Sequence, residues 1–200
     1  MPIVAGRDID ELLTALSQEL GLRDPALIEL CVIGGAALGV LGLVSRPTRD
    51  IDVVAMAQSD GTRVQVMSVG SLPAHVAEAV EAVSTQFGVE VDWLNYGPAS
   101  LIDWGLPEGF ESRLGAKRYG EFLLIHYAGR LDQVCFKTYA AADVAGRHLT
   151  DLIALTPSAS DMGFAFRWAV VQDPSAAFRS QLEGLADYME VRDVLDLVPR

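Results

Sequence analysis

The chain has 200 residues, half of them hydrophobic, with 15 Lys and Arg against 27 Asp and Glu and a formal net charge of −12. That much apolar material fills one well-buried domain, or one domain with a helical cap, and excludes a disordered chain. The acidic balance argues against a broad nucleic-acid-binding face, because phosphate contacts dominate such affinity.

The longest apolar run, from Cys31 to Val44, is about fourteen residues and too short to cross a membrane. The sequence opens Met1-Pro2-Ile3, without a basic segment followed by a long apolar one. A cytoplasmic protein with no signal peptide and no membrane association is therefore expected. Ile9, Leu12, Leu13, Leu16 and Leu20 recur at helical spacing. They predict a helix over 8–21 that Gly21 ends. Asp24-Pro25 predicts the start of a short second helix, with Pro in its first turn.

Cys31-Val32-Ile33 is a short apolar strand that runs into Gly34-Gly35, and 36–44 reads as a buried helix. The loop from Ser45 to Arg49 leads to a strand over 50–56, with β-branched Ile51, Val53 and Val54. Further strands are expected over 63–68, 89–94, 122–127 and 134–137. A helix from Pro73 to Phe87 is closed by Gly88. Gly97-Pro98 and Pro107-Glu108-Gly109 make 95–109 mostly loop. From Thr138 the pattern is helical, with breaks near Gly146, Pro157 and Pro174. Strands and helices mix over the first two thirds and helices fill the rest. The expected fold is α/β (α+β), with a mixed β-sheet core and flanking helices over 1–137 and a helical C-terminal lobe over 138–200. Cys31 and Cys135 lie far apart in apolar runs and read as buried, reduced thiols.

The chemistry concentrates in Ile33-Gly34-Gly35-Ala36-Ala37 and Arg46-Pro47-Thr48-Arg49-Asp50-Ile51-Asp52-Val53. Residues i and i+2 of a strand share a face, so Asp50 and Asp52 project together. Two adjacent carboxylates repel, and a divalent cation relieves that repulsion. Mg²⁺ favours hard oxygen ligands and takes one or two carboxylates plus substrate phosphates; Mn²⁺ suits the same ligands. Gly34 and Gly35 follow a strand and open a helix, where missing Cβ atoms let a phosphate approach the backbone. Thr48 falls on the Asp50 face if the strand begins early, and a phosphate on it would add negative charge beside the carboxylates.

In this order the pieces resemble the nucleotidyltransferase superfamily signature: a hydrophobic residue, Gly, then Gly or Ser, a gap, and Asp-hydrophobic-Asp. The gap between Gly35 and Asp50 is slightly longer than in the compact members. The chain is most similar to the AbiEii and MenT-like toxin branch. The residues behind this are Arg46-x-Thr48-x-Asp50-x-Asp52 and a second block, Phe136-Lys137-Thr138-Tyr139-Ala140 with Arg147 and Asp151-Leu152. The resemblance implies a nucleotidyltransferase-type core and Mg²⁺-dependent transfer of a nucleotide from an NTP to an acceptor, often the 3′ end of tRNA. It also implies control by a small antitoxin protein. Asp50 and Asp52 would hold the metal. Gly34, Gly35, Arg46, Thr48 and Lys137 would bind the nucleotide. Asp151 would act as a base or orient Lys137.

In one straight helix, Lys137 and Asp151 would lie about 21 Å apart. A break, with Gly146 the obvious place, is needed to bring them together. Superfamily members often carry a third carboxylate on a later strand. Asp92 is the candidate here, as metal ligand or as general base; Glu90 shares its predicted strand face. Residues 113–137 hold Arg113, Lys117, Arg118, Arg130 and Lys137 against Glu121 and Asp132, a basic segment that fits a local grip on an RNA end. An oligomer would help so short a chain grip a whole tRNA. The acidic surface would also suit a cationic acceptor, either a protein partner or a small hydroxylated molecule such as an aminoglycoside.

Overall fold

The structure is a computed structural model that describes residues 7–68 and 70–199. The chain divides into two compact units, Met1–Ala128 and Gly129–Arg200. The boundary lies nine residues before the expected 137/138, because the segment read as a strand over 134–137 is part of a helix, α5 (Arg130–Asp143). Asp132, Gln133, Val134, Cys135, Phe136, Lys137 and Thr138 of α5 are all buried. A helix buried all round shows no amphipathic period, which hides it from a periodicity reading.

The first unit is a mixed α/β structure. Helix α1 (Arg7–Arg23) precedes β1 (Ile28–Ile33), α2 (Gly34–Val40), β2 (Ile51–Ser59), β3 (Val64–Met67), α3 (Ala74–Phe87), β4 (Leu94–Asn95), α4 (Ser100–Trp104), β5 (Gly115–Tyr119) and β6 (Leu123–Tyr127). The described strands form one six-stranded sheet in the order β3-β2-β1-β6-β5, with β4 also paired to β2. Strands β1 and β6 are parallel, as are β2 and β4; the other neighbours are antiparallel. A register shift falls in β1 between Cys31 and Val32.

Three local expectations change. Helix α1 runs through Gly21 to Arg23, and the Phe122 ring lies against the glycine where a Cβ would sit. Residues 24–27 form no helix; Asp24 Oδ1 accepts the Ala26 N–H at 3.2 Å, a local turn that leads into β1. Of the strand expected over 89–94 only Leu94 lies in a strand, β4, which it forms with Asn95. The preceding residues fold back on α3. Ser84 Oγ donates to the Val89 carbonyl (2.8 Å), the Trp93 N–H to the Glu90 carbonyl (3.1 Å), and the buried Trp93 indole to the Val80 carbonyl (3.1 Å). The alternation over 89–94 thus reflects one anchored aromatic ring.

The core of this unit packs α1 and α3 on one sheet face. Ile9, Leu13 and Leu16 from α1 and Val76, Val80 and Val83 from α3 meet Leu30, Val32, Val53 and Ile125. Each fully buried aliphatic side chain contributes roughly 1.5–3 kcal/mol. Two polar ties cross this packing: the Tyr119 hydroxyl meets that of Tyr127 at 2.7 Å, and Asp10 accepts from the Tyr119 hydroxyl (3.0 Å) and from Lys117 (2.8 Å). Burial pushes both tyrosine hydroxyls above their usual range, which keeps the pair uncharged.

The second unit is helical among its described residues. It comprises α5, α6 (Gly146–Ala154), α7 (Ala159–Gln172), α8 (Ala176–Tyr188) and α9 (Arg192–Asp196). Ser158 and Asp161 form a capping box at the start of α7, and the Ser175 side chain caps α8. Phe136 packs edge-on against Trp168 with ring centroids 5.5 Å apart, and Tyr139 lies 4.8 Å from Phe178. No helix of the described residues is long and apolar enough to cross a membrane.

Candidate active site

In the sheet unit, strand pairing gathers the candidate residues at one place. Asp52 of β2 is in register with Ile33, the last residue of β1, on one side and with Asn95 of β4 on the other. Gly34 follows Ile33 directly and adopts a left-handed φ of 72°. A Cβ on Gly34 would sit on the Asp52 carboxylate oxygen Oδ2, so only glycine fits here on both conformational and steric grounds. A Cβ on Gly35 would come within 2.8 Å of Thr48 Oγ1 and 3.3 Å of Arg46 Nη2. The two glycines therefore lie under Asp52, Thr48 and Arg46.

Asp50 precedes the first residue of β2 and is half-buried. Among the described residues no hydrogen bond or ion pair engages its carboxylate; its backbone carbonyl accepts from Thr48 Oγ1 at 3.1 Å. Thr48 is 5% exposed, so a phosphate on its hydroxyl requires the loop over 46–49 to open. The Arg46 guanidinium donates to the Pro47 carbonyl at 3.1 Å, bending back over its own loop.

Asp92 lies one residue before Trp93, whose carbonyl accepts the Ile51 N–H at 2.7 Å. It stands exposed in the turn before β4, and Glu90 precedes it in the same folded-back segment. The side chain beside Asp52 is Asn95, whose Nδ2 donates to Asp52 Oδ1 at 3.2 Å. The sequence reading missed Asn95. A signal for it existed in Asn95-Tyr96-Gly97, since Asn two residues before Gly favours a side-chain-closed turn. That turn forms: the Gly97 N–H donates to Asn95 Oδ1 at 2.8 Å.

In the helical unit, α5 ends at Asp143 and α6 starts at Gly146, whose φ of 40° turns the chain. The break folds Asp151 back onto Lys137, with Nζ and Oδ2 2.9 Å apart and side chains 7% and 1% exposed. Removing two charges from water is costly, and a buried ion pair is weak support for stability by itself. Arg130 secures the geometry. Its guanidinium donates to the Leu155 carbonyl (2.7 and 3.1 Å), the Thr156 carbonyl (2.9 Å) and Asp161 (3.0 Å). This ties the end of α6 to the start of α5.

The basic segment is largely engaged within its own unit. Lys117 binds Asp10, Arg118 donates to the Gly120 and Glu121 carbonyls, Arg130 forms the clasp just described, and Lys137 binds Asp151. A cavity of about 980 Å³ opens at the β2–β3 hairpin, lined by Ser59, Thr62, Arg63, Gln65 and Glu111 among others. None of the residues singled out from the sequence lines it. The residues suited to metal and phosphate gather instead around Asp52.

No protein-family model matches the chain, and neither does any curated protein or solved structure.

Proposed function

We propose that the chain is a Mg²⁺-dependent nucleotidyltransferase, of the AbiEii and MenT-like toxin type that its sequence resembles. It would transfer a nucleotide from an NTP to an RNA acceptor, the 3′ end of tRNA, under the control of an antitoxin. The observation that carries this reading is the Asp52 carboxylate held over Gly34. The carboxylate and the left-handed glycine backbone are packed together, with Oδ2 where a Cβ would be. That arrangement suits a cation with its triphosphate.

On this reading Asp50 and Asp52 hold the ion, and Mn²⁺ substitutes for Mg²⁺. When bound, the ion neutralises phosphate charge and activates the attacking oxygen. Gly35 lets Thr48 and Arg46 close onto the start of α2, and the planar Arg46 guanidinium suits phosphate oxygens. Lys137, which the resemblance gives to the nucleotide, is held by Asp151 within the helical unit, and Asp151 orients its ammonium. Asp92, exposed in the turn just before β4, is the candidate third carboxylate.

A second reading keeps the donor and changes the acceptor to a protein or a small hydroxylated molecule. Burial of Lys137 against Asp151 and the clasp made by Arg130 favour it, since they withdraw two cations of the basic segment from RNA. Incubation with Mg²⁺, each α-labelled NTP, total tRNA, lysate protein and an aminoglycoside panel separates the readings, with Asp50→Ala as control. Label on tRNA that the control fails to transfer supports the first, and label on another acceptor supports the second. A folded protein that labels none of them contradicts both.

A further inference from the structure

Asp52 has two carboxylate oxygens with different surroundings. Oδ2 lies against Gly34 where a Cβ would sit, and Oδ1 accepts from Asn95 Nδ2 at 3.2 Å. The Asn95 amide is itself fixed. Its Oδ1 accepts the Gly97 N–H at 2.8 Å, which dictates that the NH₂ group, and not the carbonyl, faces Asp52. Gly97 closes against the same atom, since a Cβ there would lie 3.0 Å from Asn95 Oδ1. The backbone contributes the last constraint: β4 pairs with β2 at Ile51–Leu94 and Asp52–Asn95, anchored by the Ile51 N–H on the Trp93 carbonyl at 2.7 Å. A short strand, a turn and a fixed amide thus converge on one oxygen.

We infer that Asn95 is the positioning residue of the site: by holding Asp52 Oδ1 it fixes the orientation in which the carboxylate would hold the divalent cation. The inference rests on the reading of Asp50 and Asp52 as a metal site, and it adds a residue that neither aspartate motif contains. Outer-sphere partners that orient a metal-binding carboxylate typically change affinity 10- to 100-fold when removed. Here the effect should lie at the lower end, because a single hydrogen bond of ordinary length is lost.

The test is Mn²⁺ binding to the full-length protein, read from the loss of free-ion signal in electron paramagnetic resonance, with no nucleotide and no turnover. Wild type, Asp52→Ala, Asn95→Ala and Asn95→Ser are compared, with circular dichroism to confirm the fold. Asn95→Ala is expected to weaken Asp52-dependent binding about tenfold. Asn95→Ser keeps a side-chain oxygen as acceptor for the Gly97 N–H, and so the turn, but is too short to hold Asp52 Oδ1. It is expected to weaken binding to the same extent. Asp52-dependent binding that is the same in wild type and both Asn95 variants overturns the role of Asn95 alone. Binding that Asp52→Ala leaves unchanged overturns the metal-site reading and this inference with it. If Asn95→Ala loses its fold, Asn95→Ser decides by itself: weaker binding supports the inference, and wild-type affinity overturns it.

Discussion

Gly34 carries two constraints at one atom, a φ of 72° and the Asp52 carboxylate where a Cβ would stand. The left-handed backbone alone costs an L-residue about 1–2 kcal/mol. Gly34→Ala is therefore predicted to lose at least that much in urea unfolding, and to lose activity as well because Asp52 must move. Wild-type stability in this variant would contradict the geometry. The Lys137–Asp151 pair makes a different prediction. Leaving one buried charge without its partner costs about 3–5 kcal/mol, while replacing both by apolar groups of similar size is often neutral. Asp151→Leu should be strongly destabilised, and Lys137→Met/Asp151→Leu should recover most of the loss. Additive losses in that cycle would show that the two charges act separately. At this scale the nearness of Gly34 and Gly35 to Asp52 was legible because these residues fall in two short motifs that follow each other in the chain. Asn95 was not, because its role depends on strand pairing across 43 residues of sequence.

At the scale of elements, the turn between α5 and α6 decides whether Lys137 and Asp151 meet. Gly146 was readable as the break from composition alone. The clasp that holds the two helices was not, since Arg130 reads in sequence as one more basic residue in a basic segment. Arg130→Ala removes charge-assisted bonds to Leu155, Thr156 and Asp161. It is predicted to cost about 2 kcal/mol and to raise amide hydrogen exchange in α6 ahead of α7. Exchange unchanged in α6 would remove the clasp from the account.

The sheet holds a second tie of this kind. Glu29 of β1 accepts from His126 Nε2 of β6 (2.7 Å) and from the Ser59 N–H (3.1 Å) and hydroxyl (2.9 Å) of β2. Burial raises the Glu29 carboxyl, but the hydrogen bonds from His126 and Ser59 outweigh it and hold the group below its ordinary value of 4.5. A carboxylate depressed in the fold stabilises above its unfolded value and loses that contribution as pH falls through its folded one. The stability gap between wild type and Glu29→Gln should thus be full near neutral pH and shrink as pH drops below 4.5. Urea titrations across that range check it, and a gap independent of pH would count against the ionised Glu29.

For the molecule as a whole, the mixed α/β unit followed by a helical unit was visible in the order of periodic segments. The unit boundary was displaced because α5 is buried on every side and loses its helical signature. Composition set the net charge of −12 but not where the cations point. Internal engagement of Lys117, Arg118, Arg130 and Lys137 emerged only in three dimensions, and it bears directly on the acceptor. The donor chemistry is the central claim, and the position of the transferred label tests it most directly. Parallel reactions contain Mg²⁺ and the same NTP labelled at either the α- or the γ-phosphate, with wild type and Asp50→Ala. Nucleotidyl transfer predicts that α-label moves to the acceptor, that γ-label leaves as pyrophosphate, and that Asp50→Ala does neither. Gamma-label on the acceptor, or transfer that survives Asp50→Ala, would contradict the account.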